Sequence, residues 1–124
     1  ALLDELDDWI TVKQCGKGLL LGRKPSPADV KAAQAGLAEA RSALLSREYG
    51  VVVLDEANVA AHYGLITIPD LLDLLAIRPK GVELVITGRN AHEKIIEAAD
   101  LVTEMREIKH YGKQGVTARR GIEK

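Results

Sequence analysis

Apolar residues along this chain form two kinds of run. The first kind is continuous. Val51-Val52-Val53-Leu54 is followed at once by Asp55-Glu56, and Glu83-Leu84-Val85-Ile86-Thr87 is followed by Gly88, Arg89 and Asn90. A short β-branched run without polar alternation predicts a strand buried on both faces, as in a parallel sheet covered by helices. The second kind is periodic. Val30, Ala33, Leu37, Ala40 and Leu44 recur at alternating spacings of three and four, which predicts one face of a helix. Ser26-Pro27-Ala28-Asp29 marks its start: Ser26 can cap, Pro27 suits the first turn, and Asp29 favours the positive end of the helix. The helix is expected to end near Ser46. Gly36 within it either weakens it or permits a close approach.

The remaining segments extend this pattern. Trp9-Ile10-Thr11-Val12-Lys13 has strand propensity, so strand, helix and strand would make a βαβ unit. Ala57 to Tyr63 predicts a short helix stopped by Gly64. A second helix is expected from Thr67-Ile68-Pro69-Asp70, with Leu71, Leu72 and Leu75 as its apolar face, ended by Pro79 and Gly81. A third is expected over Ala91 to Ala98, with Asn90 and Glu93 spaced as a capping box. Leu101 to Lys109 reads as a last, edge strand, and the glycine-bearing tail from His110 as a loop. Gly16, Gly18 and Gly22 frame a loop containing Leu19-Leu20-Leu21, which either plugs a core or lines an apolar ligand pocket.

Composition narrows the classes. At 124 residues this is one domain, 1–124, able to bury a core, and its 47% hydrophobic content is that of an ordinary globular protein. A net charge of −1 gives no general attraction to nucleic acid or membranes, and the absence of Phe with a single Trp argues against a stacking platform for single strands. No run approaches a membrane span or a signal peptide. The single cysteine, Cys15, allows no disulfide within the chain and fits a reducing, cytoplasmic setting. His62, His92 and His110 lack the close spacing of a zinc site and read as surface or capping residues.

The candidate chemistry lies at the strand ends. Ligands of open α/β sheets bind beyond the carboxyl ends of the strands. Asp55-Glu56 there is either two charges meeting solvent or an acid pair presented to a phosphate-bound Mg²⁺. Arg89, before a predicted helix N-terminus, is either a surface arginine paired with a carboxylate or part of an anion site. The second reading of Asp55-Glu56 calls for a phosphate-cradling G-x-x-x-x-G-K-S/T loop. The chain has none: Cys15-Gly16-Lys17-Gly18 and Tyr111-Gly112-Lys113-Gln114-Gly115 both fail the pattern.

From about residue 50 onward the sequence resembles the ATP-dependent corrinoid (cobalamin) adenosyltransferases of the P-loop type. The resemblance rests on Val53-Leu54-Asp55-Glu56-Ala57-Asn58, Arg78-Pro79, Glu83 to Arg89, Ala99 to Met105, Ile108-Lys109-His110, Gly115 to Arg119 and Gly121-Ile122-Glu123, in that order and spacing. It implies a P-loop NTPase-like α/β fold, a parallel sheet with helices on both faces, here without the N-terminal strand, phosphate loop, helix and second strand of the family. The opening Ala1 to Leu6, without an initiator Met, agrees with that expectation.

The resemblance further implies transfer of the 5′-deoxyadenosyl group of ATP to the cobalt of a reduced corrinoid, with release of triphosphate. The corrinoid would be cob(I)alamin or a cobyrinic acid a,c-diamide precursor, in adenosylcobalamin synthesis or salvage. Co(I) is itself the nucleophile, so no catalytic base is expected. Glu56, with Asp55, would serve the Mg²⁺-triphosphate, and Thr87, Arg89 and Asn90 would face nucleotide or corrinoid. The family's Gly-Phe-Thr-Trp-like stretch corresponds to Gly18-Leu19-Leu20-Leu21, so Leu19 and Leu21 would meet the corrinoid without stacking. A flavoprotein reductase and a homodimer are the implied partners. The 124 residues by themselves are expected to be inactive. Two other readings stay open: a nucleotide- or corrinoid-binding remnant without turnover, and another P-loop-type NTPase.

Overall fold

Ser26 ends an extended segment and begins the longest helix, α1 (Pro27–Ser46). Its hydroxyl accepts from the Asp29 amide at 3.3 Å, and the Asp29 carboxylate accepts from the Ser26 amide at 2.8 Å. This capping box satisfies two donors that a helix start otherwise leaves orphaned. The computed structural model describes residues 6, 8–16 and 24–122. Expectations for 1–5, 7, 17–23 and 123–124, including the three leucines between Gly18 and Gly22, lie outside the described residues.

After α1 come β1 (Val51–Leu54), α2 (Ala57–His62), α3 (Ile68–Ile77), β2 (Glu83–Ile86) and α4 (Glu93–Ala98). A 3₁₀ turn follows at Tyr111–Gln114. The strands β1 and β2 pair in parallel, Val51 opposite Glu83 and Leu54 opposite Ile86, with α2 and α3 as the crossover. The Thr67 hydroxyl caps α3 through the Asp70 amide, and the Thr67 amide donates to the Asp70 carboxylate. That amide, helped by the Thr67 hydroxyl and Gln34, holds the Asp70 carboxyl below its ordinary value.

The core lies on one face of the sheet. Val52, Leu54, Leu84 and Ile86 point alike, and Leu44, Leu74 and Val82 pack against the first three of them. A second cluster, Ala57, Ile66, Leu71 and Ile95, covers Leu54 and Ile86. On the opposite face Val51 and Val53 are each 55% exposed and Val85 is 41% exposed. The expected strand buried on both faces, with helices on both, is therefore not found among the described residues: both strands alternate exposed and half-buried. A continuous apolar run says that both faces can be buried, not that both are.

Other expectations are corrected in the same way. Trp9 to Lys13 forms no strand; Trp9 is 86% exposed and its amide closes a turn onto the Leu6 carbonyl. Leu101 to Lys109 forms no strand either, with Leu101, Met105 and Ile108 all at least 85% exposed. Strand propensity is realised only where a ladder partner exists, and the described sheet has two strands. In α3 the deepest side chains are Leu71 and Leu74; Leu72 and Leu75 are half-buried. In α1 the expected stripe holds, and Gly36 serves the close approach: a Cβ there would fall on the Cys15 side chain.

The helix predicted over Ala91 to Ala98 begins at Glu93, and its cap is His92, whose Nδ1 accepts from the Lys94 amide at 3.2 Å. Asn90 adopts φ 62°, a left-handed turn conformation that asparagine tolerates, and so does not cap. His110 also caps, accepting from the Gly112 amide. No described helix is long and apolar enough to cross a membrane.

Candidate functional site

Beyond Leu54 the chain must leave the sheet and enter α2 within two residues. It does so through Asp55 and Glu56, with Glu56 at φ 57° and ψ 21°. A left-handed, non-glycine residue at a strand end is a local strain that the surroundings must hold in place. What holds it is Thr87, one residue past β2. The Thr87 amide first extends the ladder by donating to the Leu54 carbonyl at 3.1 Å. Its hydroxyl then donates to Asp55 Oδ1 at 2.7 Å and accepts from the Glu56 amide at 2.9 Å. One hydroxyl thereby fixes the carboxylate of Asp55 and the backbone of Glu56.

Asn58 adds a second tie. Its amide donates to the Thr87 carbonyl at 3.1 Å, and its Nδ2 donates to the Gly88 carbonyl at 3.4 Å. Asn58 is 6% exposed, and its Oδ1 is buried without a hydrogen-bond partner among the described residues. Gly88, at φ 116°, lets the two loops touch: a Cβ on it would lie 3.2 Å from both Glu56 Cα and the Val59 amide nitrogen. Sequence reasoning assigns no role to Asn58 or Gly88. The available signal is a glycine directly after a strand, opposite a polar residue in the first turn of the next helix.

The structure thus brings together Asp55, Glu56 and Thr87 of the residues singled out from sequence. It leaves Arg89 and Asn90 exposed on the turn beyond Gly88. Arg89 lies three residues before the α4 cap instead of at the helix start, and it forms no ion pair with another described residue. Leu19 and Leu21 lie outside the described residues. A groove of about 470 Å³ runs elsewhere, between Lys13–Gly16 and the Ala32–Glu39 part of α1.

Whether the strand end suits a metal follows from its donors. No group of three or more His, Cys, Asp or Glu side chains converges among the described residues. Mg²⁺ needs no such group: it keeps several waters and is held by one or two carboxylates together with substrate phosphates. Glu56 is exposed, and Asp55 has one oxygen engaged by Thr87. Those donors fit a phosphate-bound Mg²⁺.

A parallel βαβ unit with paired carboxylates at its carboxyl edge is an α/β arrangement, in which ligands commonly bind beyond the carboxyl ends of the strands. The profile of the family described as ATP:corrinoid adenosyltransferase BtuR/CobO/CobP matches residues 1–123, and the chain belongs to that family. It is 37% identical over 108 residues to a corrinoid adenosyltransferase of Pseudomonas aeruginosa, covering 87% of this chain and 53% of that protein. It is 36% identical over 109 residues to one from Sinorhizobium sp, covering 87% and 51%. With the corrinoid adenosyltransferase CobA of Salmonella typhimurium it shares 37% identity over 73 residues, 59% of this chain and 37% of that protein. The chain spans about half the length of the first two relatives.

Proposed function

We propose that this chain is the part of an ATP:corrinoid adenosyltransferase that holds the Mg²⁺-triphosphate end of ATP. The observation that carries this reading is the acid pair Asp55-Glu56, held at the carboxyl end of β1 by Thr87. In the reaction the C5′–O bond of ATP breaks, its electron pair leaving with triphosphate. A C5′–Co bond forms with the electron pair of Co(I). Bound Mg²⁺ would neutralise the charge that collects on the departing triphosphate. Glu56 would hold that ion, with Asp55 beside it. Arg89 and Asn90, exposed on the neighbouring turn, would face the nucleotide. None of these side chains need move a proton, because the nucleophile is the cobalt.

Leu19 and Leu21 are assigned to the corrinoid side, where they would crowd out a lower axial ligand and exclude water. The corrinoid would be cobalamin or a cobyrinic acid a,c-diamide precursor, and a flavoprotein reductase, a homodimer and a cytoplasmic setting belong to the same reading. The test is the full gene product with ATP, Mg²⁺ and a chemically reduced corrinoid. Formation of a light-sensitive cobalt–carbon product with release of triphosphate is expected, and its absence would overturn the reading. In the same protein, Leu19→Ala or Leu21→Ala should lower the yield of four-coordinate Co(II); an unchanged yield removes both from the corrinoid face.

Family membership favours the transferase over another P-loop-type NTPase. A binding remnant without turnover would be favoured only if the encoding gene carried no G-x-x-x-x-G-K-S/T run outside these 124 residues, which themselves contain none. Without the backbone donors and lysine of such a loop, the 124 residues by themselves should bind Mg-ATP weakly and transfer nothing measurable. Calorimetry that gives them micromolar Mg-ATP affinity would refute that expectation.

A further inference from the structure

We infer that Thr87 is a positioning residue that aims the acid pair, and not a ligand of the nucleotide; the inference rests on the metal role proposed for Glu56. A threonine hydroxyl has one hydrogen to give. Here it goes to Asp55 Oδ1 at 2.7 Å, which leaves none for a phosphate oxygen. The same hydroxyl oxygen accepts from the Glu56 amide at 2.9 Å. Glu56 sits in the left-handed region at the start of α2, and no side chain of its own caps that helix. Its backbone orientation is therefore imposed from the neighbouring strand.

The surrounding contacts make that imposition stiff. The Thr87 carbonyl accepts from the Asn58 amide, and Asn58 Nδ2 reaches the Gly88 carbonyl. The loops after β1 and β2 therefore move together, and a displacement of the β2 loop carries Asp55 and the Glu56 backbone with it. Hydrogen bonds to an ionised acceptor are the stronger kind, so the Thr87–Asp55 bond is the one whose loss should be felt.

The test uses three forms of the full gene product: parent, Thr87→Val and Thr87→Ser. Valine keeps the shape and loses both hydrogen bonds, whereas serine keeps both. Calorimetry would measure ATP affinity with Mg²⁺ and again with the metal chelated. Thr87→Val should weaken Mg-ATP binding by about tenfold and leave metal-free ATP affinity unchanged, while Thr87→Ser stays within about threefold of the parent. An equal fall in both affinities would mean a general structural role and overturn the inference. So would a valine variant that binds Mg-ATP like the parent. A parent whose affinity does not depend on Mg²⁺ would sink the metal role of Glu56 first, and this inference with it.

Discussion

Glu56→Gln in the full gene product is expected to slow adenosyl transfer by about a hundredfold or more, the scale seen when one pre-aimed electrostatic group is removed from a reaction centre. The substitution keeps size and shape. It replaces a carboxylate by a neutral amide, whose carbonyl oxygen brings no negative charge to offset the positive charge of Mg²⁺. The fold should scarcely respond. Glu56 is exposed and its side chain makes no hydrogen bond to another described residue, so the melting temperature should stay within about 3 °C of the parent. Glu56→Gly sharpens the distinction. Glycine adopts φ 57° without a Cβ penalty, so this variant should match or exceed the parent in thermal stability while losing the same activity. Transfer within about twofold of the parent for Glu56→Gln would remove the residue from the metal role.

The elements that sequence locates well are those whose signals are local. Ser26 and Thr67 announce their helices because a capping side chain acts within three residues. The strands at Val51 and Glu83 are legible because each is a short, largely apolar run enriched in Val or Ile. Which face of each strand is covered is not legible. That depends on what packs across the sheet, and Val52 and Val53 are the same residue with opposite fates. Trp9 to Lys13 and Leu101 to Lys109 fail as strands for a related reason, since a strand needs a partner that its own sequence does not specify.

The site divides along the same line. Asp55-Glu56 is legible as acid at a strand end. Thr87 falls on the neighbouring end and reads as facing nucleotide or corrinoid; spacing does not show that its hydroxyl is engaged by Asp55. Asn90 reads as a cap from its spacing to Glu93. In the structure Asn90 makes a left-handed turn and the imidazole of His92 takes the capping role. The helix is shorter at its start than the spacing predicts, and Arg89 is left three residues ahead of the cap.

Gly88→Ala should be the most damaging single-methyl change at the strand ends, at about 2–5 kcal/mol. Two costs combine there. The first is conformational, since φ is 116°, where side chains other than hydrogen are strained. The second is steric. The added carbon would sit 3.2 Å from Glu56 Cα and from the Val59 nitrogen, and 3.3 Å from Asn58 Cβ. Two of those three atoms are backbone and cannot rotate away, so the loops themselves must separate. Separation would stretch the Asn58–Gly88 and Thr87–Asp55 bonds and misdirect Glu56 as well as lower stability. Gly81→Ala isolates the first cost: Gly81 has φ 90°, and a Cβ added to it would meet nothing within 4 Å. Thermal denaturation of the two variants therefore measures the close approach by difference. Gly88→Ala should melt well below Gly81→Ala and should alone lose Mg-ATP affinity. Equal melting temperatures with equal affinity would mean that the two loops are not held in contact through Gly88.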